Sequence, residues 1–173
     1  MAWNLANRLL DRLDGIMHFD EVYAHCDYPC GIYDPHTAQM AAHTVIRMMD
    51  LIKEMQSKKG GGDAEMLEYQ HNLVRATSIK EQHAEICKHE LRVLWGDYFK
   101  KEHVDAYPKL NELVFNGLKL ASKAKQTTDV KTAEELLSTV EQIAEIFWKT
   151  KGVETKRVTA FYPTKREIVY PKV

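Results

Sequence analysis

The chain has 173 residues, a length that suits one compact domain with a buried core. Its 45% hydrophobic and 28% charged residues are ordinary for a globular protein, and its formal net charge is -1. Nothing in that charge points to nucleic acid or an anionic membrane as a partner, and no apolar run is long enough to span a bilayer.

Residues 1–24 place Leu5, Leu9, Leu13 and Ile16 at helical spacing. Arg8, Asp11, Arg12, Asp14, Asp20 and Glu21 interrupt that stripe. A secretory signal needs an unbroken apolar centre, and this segment has none, so the expected compartment is cytoplasmic. By pattern alone it reads as an amphipathic helix. It ends in Val22-Tyr23-Ala24, a small residue just before His25, which is weak support for a cleavage point.

His25-Cys26-Asp27-Tyr28-Pro29-Cys30-Gly31-Ile32-Tyr33 comes next and is the most informative stretch of the chain. Pro29 offers a bend, since an X-Pro bond adopts cis at modest cost. Gly31 permits backbone angles that other residues avoid. The chain's three cysteines leave at least one outside any disulfide. A reducing compartment or a metal role for Cys26 and Cys30 is the better reading.

Asp34-Pro35 is a strong helix start, because Asp caps free amides and Pro fits the first helical position. Ala38, Ala41, Val45, Met48, Ile52 and Met55 form the buried stripe, and Lys58-Lys59-Gly60-Gly61-Gly62 ends it. Asp63 opens a long second helix through Leu67, Val74, Leu91 and Leu94, with a break expected near Gly96. Lys100 to Tyr107 reads as a connection. Pro108 starts a third helix with Leu110, Leu113, Val114, Leu118 and Ala121 inward. Thr132-Ala133-Glu134-Glu135 has capping-box spacing and opens a fourth, with Leu136, Val140, Ile143 and Phe147 inward and Gly152 as the stop. The expected fold is therefore all-α, an antiparallel up-and-down four-helix bundle with an N-terminal metal-binding hook. Residues 153–173 read as an extended tail, either lying on a neighbouring subunit or without order.

A chain beginning at His25 has a definite coordination chemistry. Its amine and the Cys26 amide nitrogen close one five-membered chelate ring; the same amide and the Cys26 thiolate close a second. Cys30 supplies another thiolate, and the His25 imidazole reaches an axial position. Two nitrogens and two sulfurs in a near-plane suit nickel or copper, whereas zinc prefers a tetrahedron and does not cycle electrons. In the uncut chain the His25 nitrogen is a peptide nitrogen and is no amine ligand. Residues 1–24 are thus expected to be a propeptide, removed by a peptidase cutting between Ala24 and His25.

Taken without its neighbours, Cys26-x-x-x-Cys30 is equally a disulfide or half of a zinc site. The string HCDYPCGIYDP as a whole resembles the hook of the nickel-containing superoxide dismutases. The resemblance continues through Arg75-Ala76-Thr77, Ile79-Lys80-Glu81-Gln82, Leu94-Trp95, Asp97-Tyr98-Phe99-Lys100 and Ile146-Phe147-Trp148, over roughly residues 25–151. It implies dismutation of superoxide to dioxygen and hydrogen peroxide, a nickel ion, and a homohexamer of four-helix bundles. It implies His25, Cys26 and Cys30 as metal ligands. Asp27 and Tyr33 would shape substrate access, Tyr98 would pair with Tyr33, and Lys100 would attract the anion. The Glu and Arg that fix the axial imidazole in some members correspond here to Ala41 and His83, so either His83 orients it alone or the axial bond is looser here. Residues 25–152 are then the catalytic unit.

The competing reading is a non-catalytic metal-binding or thiol-redox helical protein. Other candidates are weaker. Cys87 reads as a small buried hydrophobe. Glu68 and His71 have di-iron spacing but lack the second motif such sites need. His18, His36, His43, His89 and His103 read mostly as polar surface.

Overall fold

The computed structural model describes residues 30–57 and 61–172. The chain divides into two units, residues 1–31 and 32–173; of the first, only Cys30 and Gly31 are described. The expected propeptide and His25, Cys26, Asp27 and Pro29 lie outside the described residues.

Helix α1 runs His36–Ser57. Asp34 caps it as the sequence suggests, with its Oδ1 accepting the His36 N–H at 2.7 Å. Ala38, Ala41, Ala42, Val45, Ile46, Met49 and Ile52 are buried along one face. Helix α2, Asp63–Val93, buries Ala76, Ala84, Cys87 and Leu91. No residue before Ala76 is buried, and Leu67 and Val74 are 69% and 68% exposed. Apolar spacing in that half of α2 therefore does not mark core.

The expected break near Gly96 is a single π-helical turn, Leu94–Tyr98, closed by Phe99 N–H donating to Leu94 O at 2.9 Å. Lys100 to Tyr107, read as a connection, contains a short helix α3, Lys101–Ala106. Helix α4 runs Leu110–Gln126 and α5 runs Val130–Thr150. The cap of α5 is Asp129, not Thr132. Asp129 accepts from the Lys131 N–H at 3.1 Å and from the Thr132 hydroxyl at 2.7 Å, which puts Thr132 inside the first turn. Gly152 stops α5 as expected. At φ +71° it donates to Lys149 O while Val153 N–H reaches Trp148 O, both at 3.0 Å, the paired bonds of a Schellman end.

The four long helices pack as a ring of neighbours: α1 on α2, α2 on α4, α4 on α5, and α5 on α1. Leu91, Leu110, Leu136, Val140, Ile143 and Phe147 fill the centre. Gly117 lets α4 approach closely, since a Cβ there would lie 2.9 Å from Leu91 Cδ1. Lys80 is buried and donates to three carbonyls at the end of α4: Ala124 at 3.2 Å, Lys125 at 2.8 Å and Thr127 at 2.7 Å.

The C-terminal segment differs from the expected tail, and the chain is mostly helical rather than wholly so. Strands β1, Thr155–Thr159, and β2, Glu167–Pro171, pair antiparallel, with Arg157 opposite Val169. This hairpin folds onto its own chain. Ile168 and Val169 are buried, and Arg157 bridges Glu141 and Glu145 of α5 at 2.6 Å each. Gln39 of α1 uses both ends of its amide on Val169, accepting its N–H at 2.8 Å and donating to its carbonyl at 3.1 Å. His43, expected at the surface, is buried against the same hairpin.

Candidate metal centre

Two aromatic side chains meet where α1 begins and the π turn of α2 ends. Tyr33 directly precedes the Asp34 cap, and Tyr98 closes the π turn. Their ring centres lie 5.6 Å apart at 51°. Tyr98 packs deeper on Phe147, at 4.5 Å, and stacks on His103 at 5.6 Å and 21°. Its hydroxyl is 2.6 Å from Thr150 Oγ1. The Thr150 hydroxyl spends its one proton on Phe147 O, also at 2.6 Å, so Tyr98 is the donor of the first bond. That relay fixes the phenol proton toward α5 and leaves the Tyr98 oxygen able to accept.

Positive charge lies beside this pair. Lys151 Nζ sits 5.2 Å from the Tyr98 ring centre and 5.1 Å from that of Phe147. Lys100 is exposed, and its backbone N–H donates to His103 Nδ1 at 3.2 Å. His103 therefore carries its ring proton on Nε2 when neutral. Of these groups, Thr150, Lys151, Phe147 and His103 were not singled out as site residues by sequence reasoning. All four lie within residues 25–151, over which the family resemblance runs, and that was the available signal.

His83 is half-buried on α2, with Nδ1 2.9 Å from Ile79 O one turn back. An Nδ1–H donated there leaves Nε2 as the outward nitrogen. Ala41 is buried in the core of α1.

Among the described residues no group of three or more His, Cys, Asp or Glu side chains could hold a metal ion. Glu68 and His71 are both exposed. Cys87 is fully buried, and burial first, then the nearby Glu90, push its thiol pKa up to about 12; it stays protonated and is no ligand. Cys30, by contrast, is exposed. Gly31 after it has φ +71°, the left-handed region that glycine enters without strain, with nothing within 4 Å of where a Cβ would stand. The donors expected of His25, Cys26 and Cys30, an amine, an imidazole, an amide and two thiolates, would by their chemistry suit a thiophilic, redox-active ion.

The described residues form a mostly helical protein with an exposed thiol, Cys30, ahead of the first helix. The profile described as nickel-containing superoxide dismutase matches residues 20–151, and the chain belongs to that family. A superoxide dismutase (Ni) of Streptomyces seoulensis is 46% identical over 131 residues, 76% of this chain and 91% of that protein. One from Streptomyces coelicolor is 45% identical over 130 residues, 75% of this chain and 90% of that protein. Among solved structures, native nickel superoxide dismutase aligns with a TM-score of 0.61 at 42% identity, covering 73% of this chain and 99% of that one. A structure with nickel ligation corresponding to the oxidised state aligns at 0.62 and 43%, covering 74% and 99%. The family match ends at residue 151, so the hairpin lies beyond it.

Proposed function

We propose that this chain, once cut between Ala24 and His25, converts two superoxide ions and two protons to one dioxygen and one hydrogen peroxide. The match over residues 20–151, which contains the whole HCDYPCGIYDP loop, carries the reading. The His25 amine and imidazole, the Cys26 amide and thiolate and the Cys30 thiolate would hold nickel. Nickel so bound would supply the one-electron redox chemistry that dismutation needs.

The protein's own groups do the rest. Thiolate and ionised-amide donors favour the more oxidised ion, which aqueous nickel does not readily reach. Tyr33 and Asp27 shape the approach of a small anion, and Tyr98 holds Tyr33 in place through their ring contact. Lys100 and Lys151 give local positive charge on a chain of net charge -1, and local field governs capture of an anion. His83 would orient the His25 imidazole.

The finer architecture belongs to the same reading: an antiparallel four-helix bundle, assembled as a homohexamer, with residues 1–24 as a propeptide. The ring of helix neighbours supports the bundle. A cytoplasmic location is supported by the charged N-terminal segment. No helix among the described residues is long and apolar enough to cross a membrane.

The deciding experiment is a superoxide assay on two nickel-loaded forms, the full chain and a chain starting at His25. Activity confined to the shorter form is expected. Nickel bound to the shorter form without turnover would overturn the reading in favour of a metal-binding protein. Cys26→Ser or Cys30→Ser in the shorter form should abolish both nickel binding and turnover; wild-type turnover in either would count against the ligand set.

A further inference from the structure

The C-terminal hairpin joins the two ends of the Tyr33–Tyr98 pair. It leaves α5 at Gly152, two residues after Thr150, whose hydroxyl holds the Tyr98 phenol. It then returns to the first turns of α1, directly after Tyr33. There β2 is hydrogen-bonded to α1. Gln39 is 1% exposed and Val169 1%, and the Gln39 amide pairs with the backbone N–H and C=O of Val169 as a neighbouring strand would. One turn earlier, the His36 ring rests 5.8 Å from that of Tyr170. One turn later, the two ring nitrogens of His43 each lie 3.0 Å from a hairpin acceptor or hydroxyl, Thr164 Oγ1 and Glu167 O.

We propose that this hairpin is a positioning clamp for the Tyr33–Tyr98 pair. It fixes the first turn of α1, and with it Tyr33 just ahead of that turn. Because its other end is anchored beside Thr150, it also holds the register between Tyr33 and Tyr98. The clamp lies outside the family match, so this chain adds to the shared site a brace that the matched segment does not contain. The inference rests on the metal loop reading above.

Gln39→Leu removes both amide bonds at nearly constant volume, and Tyr170→Ala removes only the ring on His36. Lys80→Met is the control: its three carbonyl partners lie at the α4–α5 junction, and α5, at 21 residues, separates that junction from Thr150 by about 30 Å. In metal-free protein starting at His25, amide exchange over residues 32–36 should rise about tenfold in the two hairpin variants and not in the control. In nickel-loaded protein, the same two should keep one nickel per chain, change the paramagnetic resonance spectrum of the oxidised metal and lower kcat, whereas the control keeps the wild-type spectrum. Wild-type exchange and spectrum in a variant whose Val169 amide shows the hairpin released would overturn the clamp. Should Gln39→Leu not fold, the milder Tyr170→Ala carries the same comparison. Absence of dismutation in the wild type would instead sink the functional reading, and the metal-free exchange result would still decide the clamp.

Discussion

Gln39 and Thr150 show how much rests on single polar groups inside this protein. Leucine at position 39 would leave the Val169 N–H and C=O buried without partners, and each such group costs about 1–3 kcal/mol. A loss of about 2–4 kcal/mol in urea unfolding is therefore expected for Gln39→Leu. Thr150→Val breaks a different relay: the Tyr98 phenol loses its acceptor, with an expected cost of about 1 kcal/mol, nickel retained and turnover changed. Loss of the metal in that variant would mean that Tyr98 is needed to hold the loop itself. Neither residue stood out in the sequence. Gln39 lies one place from Ala38 in a helix whose pattern announces only its apolar face, and its partner is 130 residues away. The Tyr33–Tyr98 contact was legible because both residues sit in short strings that resemble a family. His43 was misread for the same reason as Gln39, a buried polar group being invisible until the segment that covers it is placed.

At the scale of elements, helix boundaries followed from local chemistry and tertiary additions did not. Asp34-Pro35 and Gly152 behave as caps whatever surrounds them. Thr132 had the right spacing for a cap, but Asp129 three residues earlier bonds both the backbone and Thr132 itself. The strands carried their β-branched and aromatic alternation in plain view, yet their pairing depends on the Ala160–Arg166 connection and on cover from α1 and α5. Two outcomes test the hairpin's attachment. Arg157→Met leaves Glu141, whose side chain is 6% exposed and whose pKa burial already raises, without its ion pair; about 3 kcal/mol of destabilisation is expected, near the low end for a buried pair because Arg157 is a third exposed. His43 gives the pH dependence. Burial chiefly lowers its pKa, Arg166 and His36 adding to that against the Glu167 carbonyl bond. The unfolded chain then binds the proton first, so stability falls as pH drops below the ordinary histidine value near 6.5. Thermal unfolding across pH 5–8 should show that decline, and His43→Gln should flatten it.

Taken whole, the molecule has almost no net charge and an anionic substrate, so capture depends on where its lysines stand. Raising ionic strength from about 0.01 to about 0.15 M shortens the screening length from about 30 to about 8 Å. kcat/KM should fall over that range, and fall less in a Lys100→Gln, Lys151→Gln double variant. An equal salt slope in both would place the attracting charge elsewhere. The π turn bears on a separate matter, the tolerance of this fold to changes in chain length. Leu94–Tyr98 holds one residue more than an α-helical turn needs, and everything after it is phased by that extra residue. Deleting Gly96 would leave a good helix but rotate Tyr98 by about 100°, taking it away from Tyr33. The glycine-rich junction before α2 carries no such phase, because no residue of α2 before Ala76 is buried. Relatives of this protein should therefore vary freely in length there and keep a fixed count of residues between Leu91 and Tyr98.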